Sequence, residues 1–169
     1  MENQILFSEK QKFTQWWLFL LLFGISGLFI YALYIQLVVG TPFGDKPIGN
    51  GGLIAISIFV LNLNALFFAT RLETQIDHKG IYVRFYPFQR KMRFYAWQEI
   101  QKAEVRTYKP LQEYGGWGIR YGFRGNGKAY NVSGNEGLQL ELKSGEKFLI
   151  GTRKGEELNL VIEKLTQNP

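Results

Sequence analysis

The chain has 169 residues, with 20 Lys and Arg against 14 Asp and Glu, one histidine and no cysteine. Without cysteine there are no disulfides, thiolate nucleophiles or sulfur-ligated metals. Residues 1 to 70 hold three basic and three acidic residues, so the whole +6 excess falls in residues 71 to 169, which hold 17 and 11.

In chain order, residues 1–15 read as a tail carrying Lys10 and Lys12. From Phe13 to Thr70 the only charged residues are Asp45 and Lys46, and this pair divides two apolar runs. The first, Trp16 to Val39, has 24 uncharged residues, or roughly 36 Å as a helix, longer than a hydrocarbon core of about 30 Å. The second covers about residues 50–70 and is close to the minimum for a span. A cleaved signal peptide is the rival for the first run, but a signal core of about 7 to 15 residues is much shorter, and a second run follows at once. The expectation is a transmembrane hairpin over 16–70, joined by a flexible turn rich in glycine and containing Pro42 and Pro47. Lys10 and Lys12 before it, and Arg71, Lys79 and Arg84 after it, predict that both termini are cytoplasmic.

Asn62 and Asn64 are the unusual residues of the second run and are candidate intramembrane contacts, because a buried amide in lipid seeks a partner. The partner is left open: the hairpin itself, another copy or a different subunit. Ala65 and Ala69 offer a small-residue stripe for close packing. Neither run has an ionisable residue, which argues against a pore.

Residues 71–169 suffice for one small domain. Arg71 to Asp77 and Gly80 to Tyr86 alternate in period two around an Asp77-His78-Lys79-Gly80 turn, which places the lone histidine at a turn tip. Arg90 to Tyr95 resumes the extended pattern, and Trp97 to Ile100 leads into a strand with an irregularity near its start. Leu138, Leu140 and Leu142 alternate with polar residues as a half-buried strand, and Ser144-Gly145 turns it into Lys147 to Gly151. Leu158, Val161, Ile162 and Leu165 then recur at helical spacing, with Glu156, Glu157 and Glu163 facing water.

The class is therefore α+β: a transmembrane helical hairpin, then about seven strands forming a partly open β-barrel closed by a C-terminal helix. The hairpin Thr74-Gln75-Ile76-Asp77 to Gly80-Ile81, the step Trp97 to Ile100, and the hairpin Gly137 to Thr152 running into the helix resemble, in that order, the bacterial pleckstrin-homology-like domains. The resemblance implies a binding scaffold with no inherited chemistry. Phosphoinositide-binding members carry a long basic first hairpin loop. The short turn Asp77 to Gly80 departs from that pattern.

Three clusters bear on function. Arg84, Arg90, Lys91 and Arg93, among Phe88, Phe94 and Tyr95, either rest on an anionic leaflet or guard a solvated hairpin edge. Trp117, Arg120, Tyr121 and Arg124 lie in a segment, Tyr114 to Gly137, with eight glycines. It reads as a bulged strand pair with mobile loops or as a ligand or partner groove. A phosphate cradle is disfavoured, because no Gly-Lys-Ser/Thr and no helix follow. The carboxylate pairs Glu99 with Glu104 and Glu136 with Glu141 have no spacing that makes them converge.

No catalytic residue, cofactor, metal site or nucleic-acid partner is expected. The leading expectation is a binding or assembly module on the bacterial cytoplasmic membrane, in contact with the bilayer and with a protein partner or a second copy. The alternatives are an anionic-lipid sensor and an accessory subunit of a transporter or membrane enzyme.

Overall fold

A computed structural model describes residues 4–167. The chain forms two units: residues 14–69, and a second unit assembled from the segments on either side.

The first unit is a pair of helices. Helix α1, Trp16–Leu33, continues through a π-helical turn, Tyr34–Val39, and stops at Gly40 in the left-handed conformation, φ 80°. Helix α2 is Asn50–Ala69. Both are long and apolar enough to cross a membrane. They are apolar all round, and side chains such as Leu20, Phe23, Ile58 and Phe59 are exposed rather than covered by protein. The residues buried within the pair are Leu22, Ser26 and Ala32 on α1 and Leu53, Ser57 and Asn64 on α2. Ala65 is exposed, so the close-packed seam uses the two serines and Ala32 instead of the expected Ala65 and Ala69 stripe. The connection is tied down by Gln36, whose Nε2 donates to the Ile48 carbonyl at 2.7 Å and to Asn50 Oδ1 at 2.9 Å. Gln36 Oε1 also accepts from the Phe43 amide.

The second unit has two sheets. The first contains β1 Phe7–Lys12, β2 Arg71–Ile76, β3 Gly80–Tyr86 and β4 Arg93–Ala96, in that spatial order and antiparallel throughout. The supposed N-terminal tail is therefore strand β1, and the folded unit does not begin at residue 71. Lys12 lies opposite Arg71, so the helix pair is inserted between two neighbouring strands of one hairpin.

A 3-10 turn, Trp97–Glu99, carries the chain to the second sheet. This contains β5 Ile100–Thr107, β6 Gly118–Tyr121, β7 Lys128–Asn131, β8 Glu136–Leu142 and β9 Lys147–Thr152, ordered β5-β8-β9-β7-β6 with only β7 and β9 parallel. The expected irregularity is a register shift between Ile100 and Lys102. Among the described residues nine strands thus replace the expected seven, and the sheets do not close into a barrel: the turn at 97–99 separates β4 from β5, which do not pair.

The main core lies between the sheets. Phe7, Leu72, Ile76, Ile81, Val83 and Phe85 come from the first, and Tyr130, Val132, Leu138, Leu140, Phe148 and Ile150 from the second. Helix α4, Gly155–Gln167, adds Leu158 and Ile162 at helical spacing, as its sequence predicts. A smaller core of Tyr108, Tyr114, Ala129 and Leu149 covers the other face of the second sheet, where the short helix α3, Pro110–Tyr114, folds over. Strand β8 is consequently buried on both faces. Gln139, expected in water, is enclosed and takes a hydrogen bond from Arg106 Nη2 at 3.0 Å.

Candidate functional site

Within the helix pair, Asn64 and Asn62 differ sharply. Asn64 is 8% exposed, and its Nδ2 donates to Ser26 Oγ on α1 at 2.8 Å and to the Val60 carbonyl at 2.9 Å. Of the partners left open by the sequence, it takes the hairpin itself. Ser26 Oγ in turn donates to the Leu22 carbonyl at 2.9 Å, so one chain of bonds links the helices. Asn62 faces outward, and among the described residues it donates only to the Ile58 carbonyl of its own helix, at 2.8 Å. It is an exposed amide on an otherwise apolar surface.

The basic cluster divides in two. Arg84 Nε meets Glu73 Oε2 at 2.5 Å, and Arg71 Nε meets Glu73 Oε1 at 2.6 Å; Lys10 Nζ is 3.7 Å away. Burial works to raise the Glu73 pKa, but the bonds from Arg84 and Arg71 outweigh it and hold the carboxyl below its usual range. Arg71 also lies over the ring of its cross-strand neighbour Tyr86, at 4.1 Å. Arg93 lies opposite Val83 on the edge strand, is exposed, and hydrogen-bonds Tyr95. Arg90 and Lys91 project from the β3–β4 connection, and among the described residues neither is in an ion pair. That connection is itself ordered: the Gln89 amide donates to the Phe85 carbonyl at 2.9 Å, Gln89 Oε1 accepts from the Phe85 amide, and Gln89 Nε2 donates to the Tyr130 hydroxyl.

The glycine-rich segment forms the β6–β7 hairpin and its flanking turns. Its centre is Asn131: Nδ2 donates to the Tyr108 hydroxyl at 3.0 Å, and Oδ1 accepts from the Gly118 amide at 2.9 Å. Tyr108 meets Tyr114 edge to face, and burial pushes its hydroxyl up to about 12 despite the opposing bond from Asn131. Trp117 Nε1 donates to the Gly134 carbonyl at 3.1 Å, and Arg120 Nε to the Trp117 carbonyl at 2.9 Å. Tyr121 is exposed on the edge strand, with Lys128 Nζ 5.6 Å from its ring centre. Trp117 and Arg120 are thus brought together, Tyr121 is set against Lys128, and the Arg124 side chain falls outside the described residues. The glycines serve backbone geometry: Gly115 caps α3 at φ 69°, and at Gly127, φ 73°, a Cβ would run into the Lys147 carbonyl. A shallow recess of about 370 Å³ beside them is lined by Tyr121, Lys128, Glu146 and Lys147.

His78 sits at the exposed tip expected for it, in a turn where Asp77 Oδ1 accepts from the Lys79 and Gly80 amides at 2.8 and 3.0 Å. It borders a recess of about 580 Å³ whose other walls include Trp97, Ile100, Ala103 and Leu165, with no carboxylate among its lining residues. Glu104 pairs with Lys102 and Glu141 with Lys147, while Glu136 stands five residues, about 16 Å, from Glu141 on one strand. Among the described residues no group of three or more His, Cys, Asp or Glu side chains is placed to hold a metal ion.

Ser26, Gln36 and Asn131 are the residues that sequence reasoning missed. Ser26 and Gln36 are single polar residues inside an apolar run, which is the signal that singled out Asn62 and Asn64. Asn131 carries no such mark. Comparison with protein-family models, with curated proteins and with solved structures finds no match.

Proposed function

We propose that this chain is a membrane-anchored binding or assembly module, with α1 and α2 crossing the bacterial cytoplasmic membrane and the β unit on the cytoplasmic side. The observation that carries the reading is the contrast between the two asparagines. Asn64 is buried and donates its amide across the helix pair to Ser26, whereas Asn62 presents an amide on an outward surface that is otherwise apolar. In hydrocarbon such a group favours a second helix with a polar side chain, at about 0.6 to 2 kcal/mol. The partner is therefore a membrane protein or a second copy of this chain.

The β unit is read as a pleckstrin-homology-like scaffold. Supporting this are the β2–β3 hairpin, the Trp97–Glu99 step into β5, and the β8–β9 hairpin running into an amphipathic closing helix. Several of its polar side chains bond one another, as in Arg106 with Glu113 at 2.7 Å and Asn131 with Tyr108. This arrangement suits a rigid surface better than a reaction centre.

Crosslinking in intact membranes, followed by purification in mild detergent and mass spectrometry, tests the proposal. The expected result is a specific partner or self-contact that Asn62→Leu weakens while the protein still inserts. Recovery of no specific contact from the unaltered protein sinks it.

A further inference from the structure

We propose that the β3–β4 connection, with the end of the first sheet beside it, is a docking surface for the anionic headgroups of the membrane that anchors the chain. The proposal rests on the membrane-spanning reading of α1 and α2. Its own support comes from sheet register and charge within the β unit.

The register fixes which end of the sheet the loop occupies. Strand β1 runs from Phe7 to Lys12 and leads into α1, and β2 begins at Arg71, just after α2. Lys12 pairs with Arg71 and Arg71 with Tyr86, so one end of the sheet holds both connections to the helices and the last residue of β3. Residues 87–92 follow directly, and Arg84 is two residues, about 7 Å, further in. The Asp77–Gly80 turn lies at the opposite end, with Ile76 opposite Phe7.

Charge is concentrated in this sheet. Residues 4–13 and 70–96 hold eight basic and three acidic residues, whereas residues 97–167 hold eleven and nine. Of the three acids, Glu9 accepts from the Thr152 hydroxyl and the Arg153 amide, and Asp77 closes the far turn. Glu73 alone remains near the loop, and it is shared by Arg71, Arg84 and Lys10. Lys12, Arg90 and Lys91 are exposed, and Phe88, 60% exposed, stands beside the last two.

Edge protection explains this less well. The edges are β1 and β4, yet Arg90 and Lys91 lie on neither strand, and Arg93, which is on β4, bonds Tyr95. Cations around an exposed aromatic ring, at the end where the chain departs into apolar helices, match a headgroup layer.

The lack of cysteine makes the test clean. Single-cysteine full-length proteins, Phe88→Cys, His78→Cys and Leu21→Cys, are labelled with a fluorophore and reconstituted into nanodiscs. The discs contain either phosphatidylcholine alone or 30% phosphatidylglycerol, and in both a headgroup-linked nitroxide acts as quencher. The Leu21 probe is expected to be quenched in both discs and the His78 probe in neither. The Phe88 probe should be quenched strongly only with phosphatidylglycerol, with relief by high salt. Adding Arg90→Gln and Lys91→Gln should lower the docked-to-free ratio by about 30-fold, at the usual worth of a basic side chain near an anionic leaflet. If Leu21 is quenched but Phe88 is quenched no more than His78, or equally in the two discs, the docking surface is refuted and the membrane anchor stands. An unquenched Leu21 probe removes the anchor, and the proposal with it.

Discussion

Removing strand β1 should unfold the β unit, even though β1 is separated from the rest of that unit by the whole helix pair. The comparison is between residues 70–169 alone and a version in which Lys12 is joined to Arg71 through a short Asn-Gly turn, which their direct pairing permits. Without β1, the core loses Phe7, which is 2% exposed, and truncating a buried phenylalanine costs about 3 to 5 kcal/mol. Two side-chain bonds to the second sheet also go: Gln11 Nε2 to the Gly151 carbonyl at 2.7 Å, and Thr152 Oγ1 to Glu9 Oε2 at 2.6 Å. Each bond is worth about 0.5 to 1.5 kcal/mol net, so the total is roughly 4 to 8 kcal/mol before the β1–β2 ladder is counted. A domain of this size has about 5 to 15 kcal/mol in all. Urea unfolding followed by circular dichroism should show a cooperative transition for the joined version and little or none for residues 70–169. Equal midpoints would refute the assignment of β1 to the core.

Three other outcomes are expected. Ser26→Ala and Asn64→Leu should each loosen the helix pair by about 0.6 to 2 kcal/mol in detergent, and the double substitution should cost less than their sum, because both break one bond; additive losses would show that the bond is not shared. The hydrogen bond from Arg106 holds the Glu113 carboxyl below its ordinary value of 4.5, so its contribution to stability is full above that pH and is lost as pH falls through the lower folded value. Glu113→Gln should therefore flatten the stability profile below about pH 4.5, as measured by thermal melts across pH. Gly127→Ala, at φ 73° and against the Lys147 carbonyl, should cost at least about 1 to 2 kcal/mol and lower the melting temperature, whereas Gly145→Ala, where nothing crowds a Cβ, should cost only the backbone part.

What could be read from the sequence followed the length of its signal. The two apolar runs extend over whole helices, and their bounds, Trp16–Val39 and Asn50–Ala69, match the reading closely. The β2–β3 hairpin, the β8–β9 hairpin and α4 were legible from strict alternation or helical spacing. Strand β1 was not, because Phe7 is its one apolar inward residue. Glu9 and Gln11 also face inward, and they bond Thr152, Arg153 and Gly151, some 140 positions away. No local pattern encodes such a partner. Gln139 was misread for a related reason: α3 covers a face that alternation assigned to water. Among the site residues, Asn64 was legible as a buried amide, but its bond to Ser26 requires the crossing geometry of two helices. The basic cluster was visible as composition, and only the strand register separates Arg93, turned to Tyr95, from Arg90 and Lys91.

The central claim is that α1 and α2 cross a bilayer and leave the β unit on the cytoplasmic side. The chain has no cysteine, so Asp45→Cys in the helix connection and Ser144→Cys in the exposed β8–β9 turn each give a single reporter. With a membrane-impermeant maleimide applied to intact cells or sealed right-side-out vesicles, the account predicts labelling at position 45 at once and at position 144 only after permeabilisation. Labelling of both positions from the same side would contradict it.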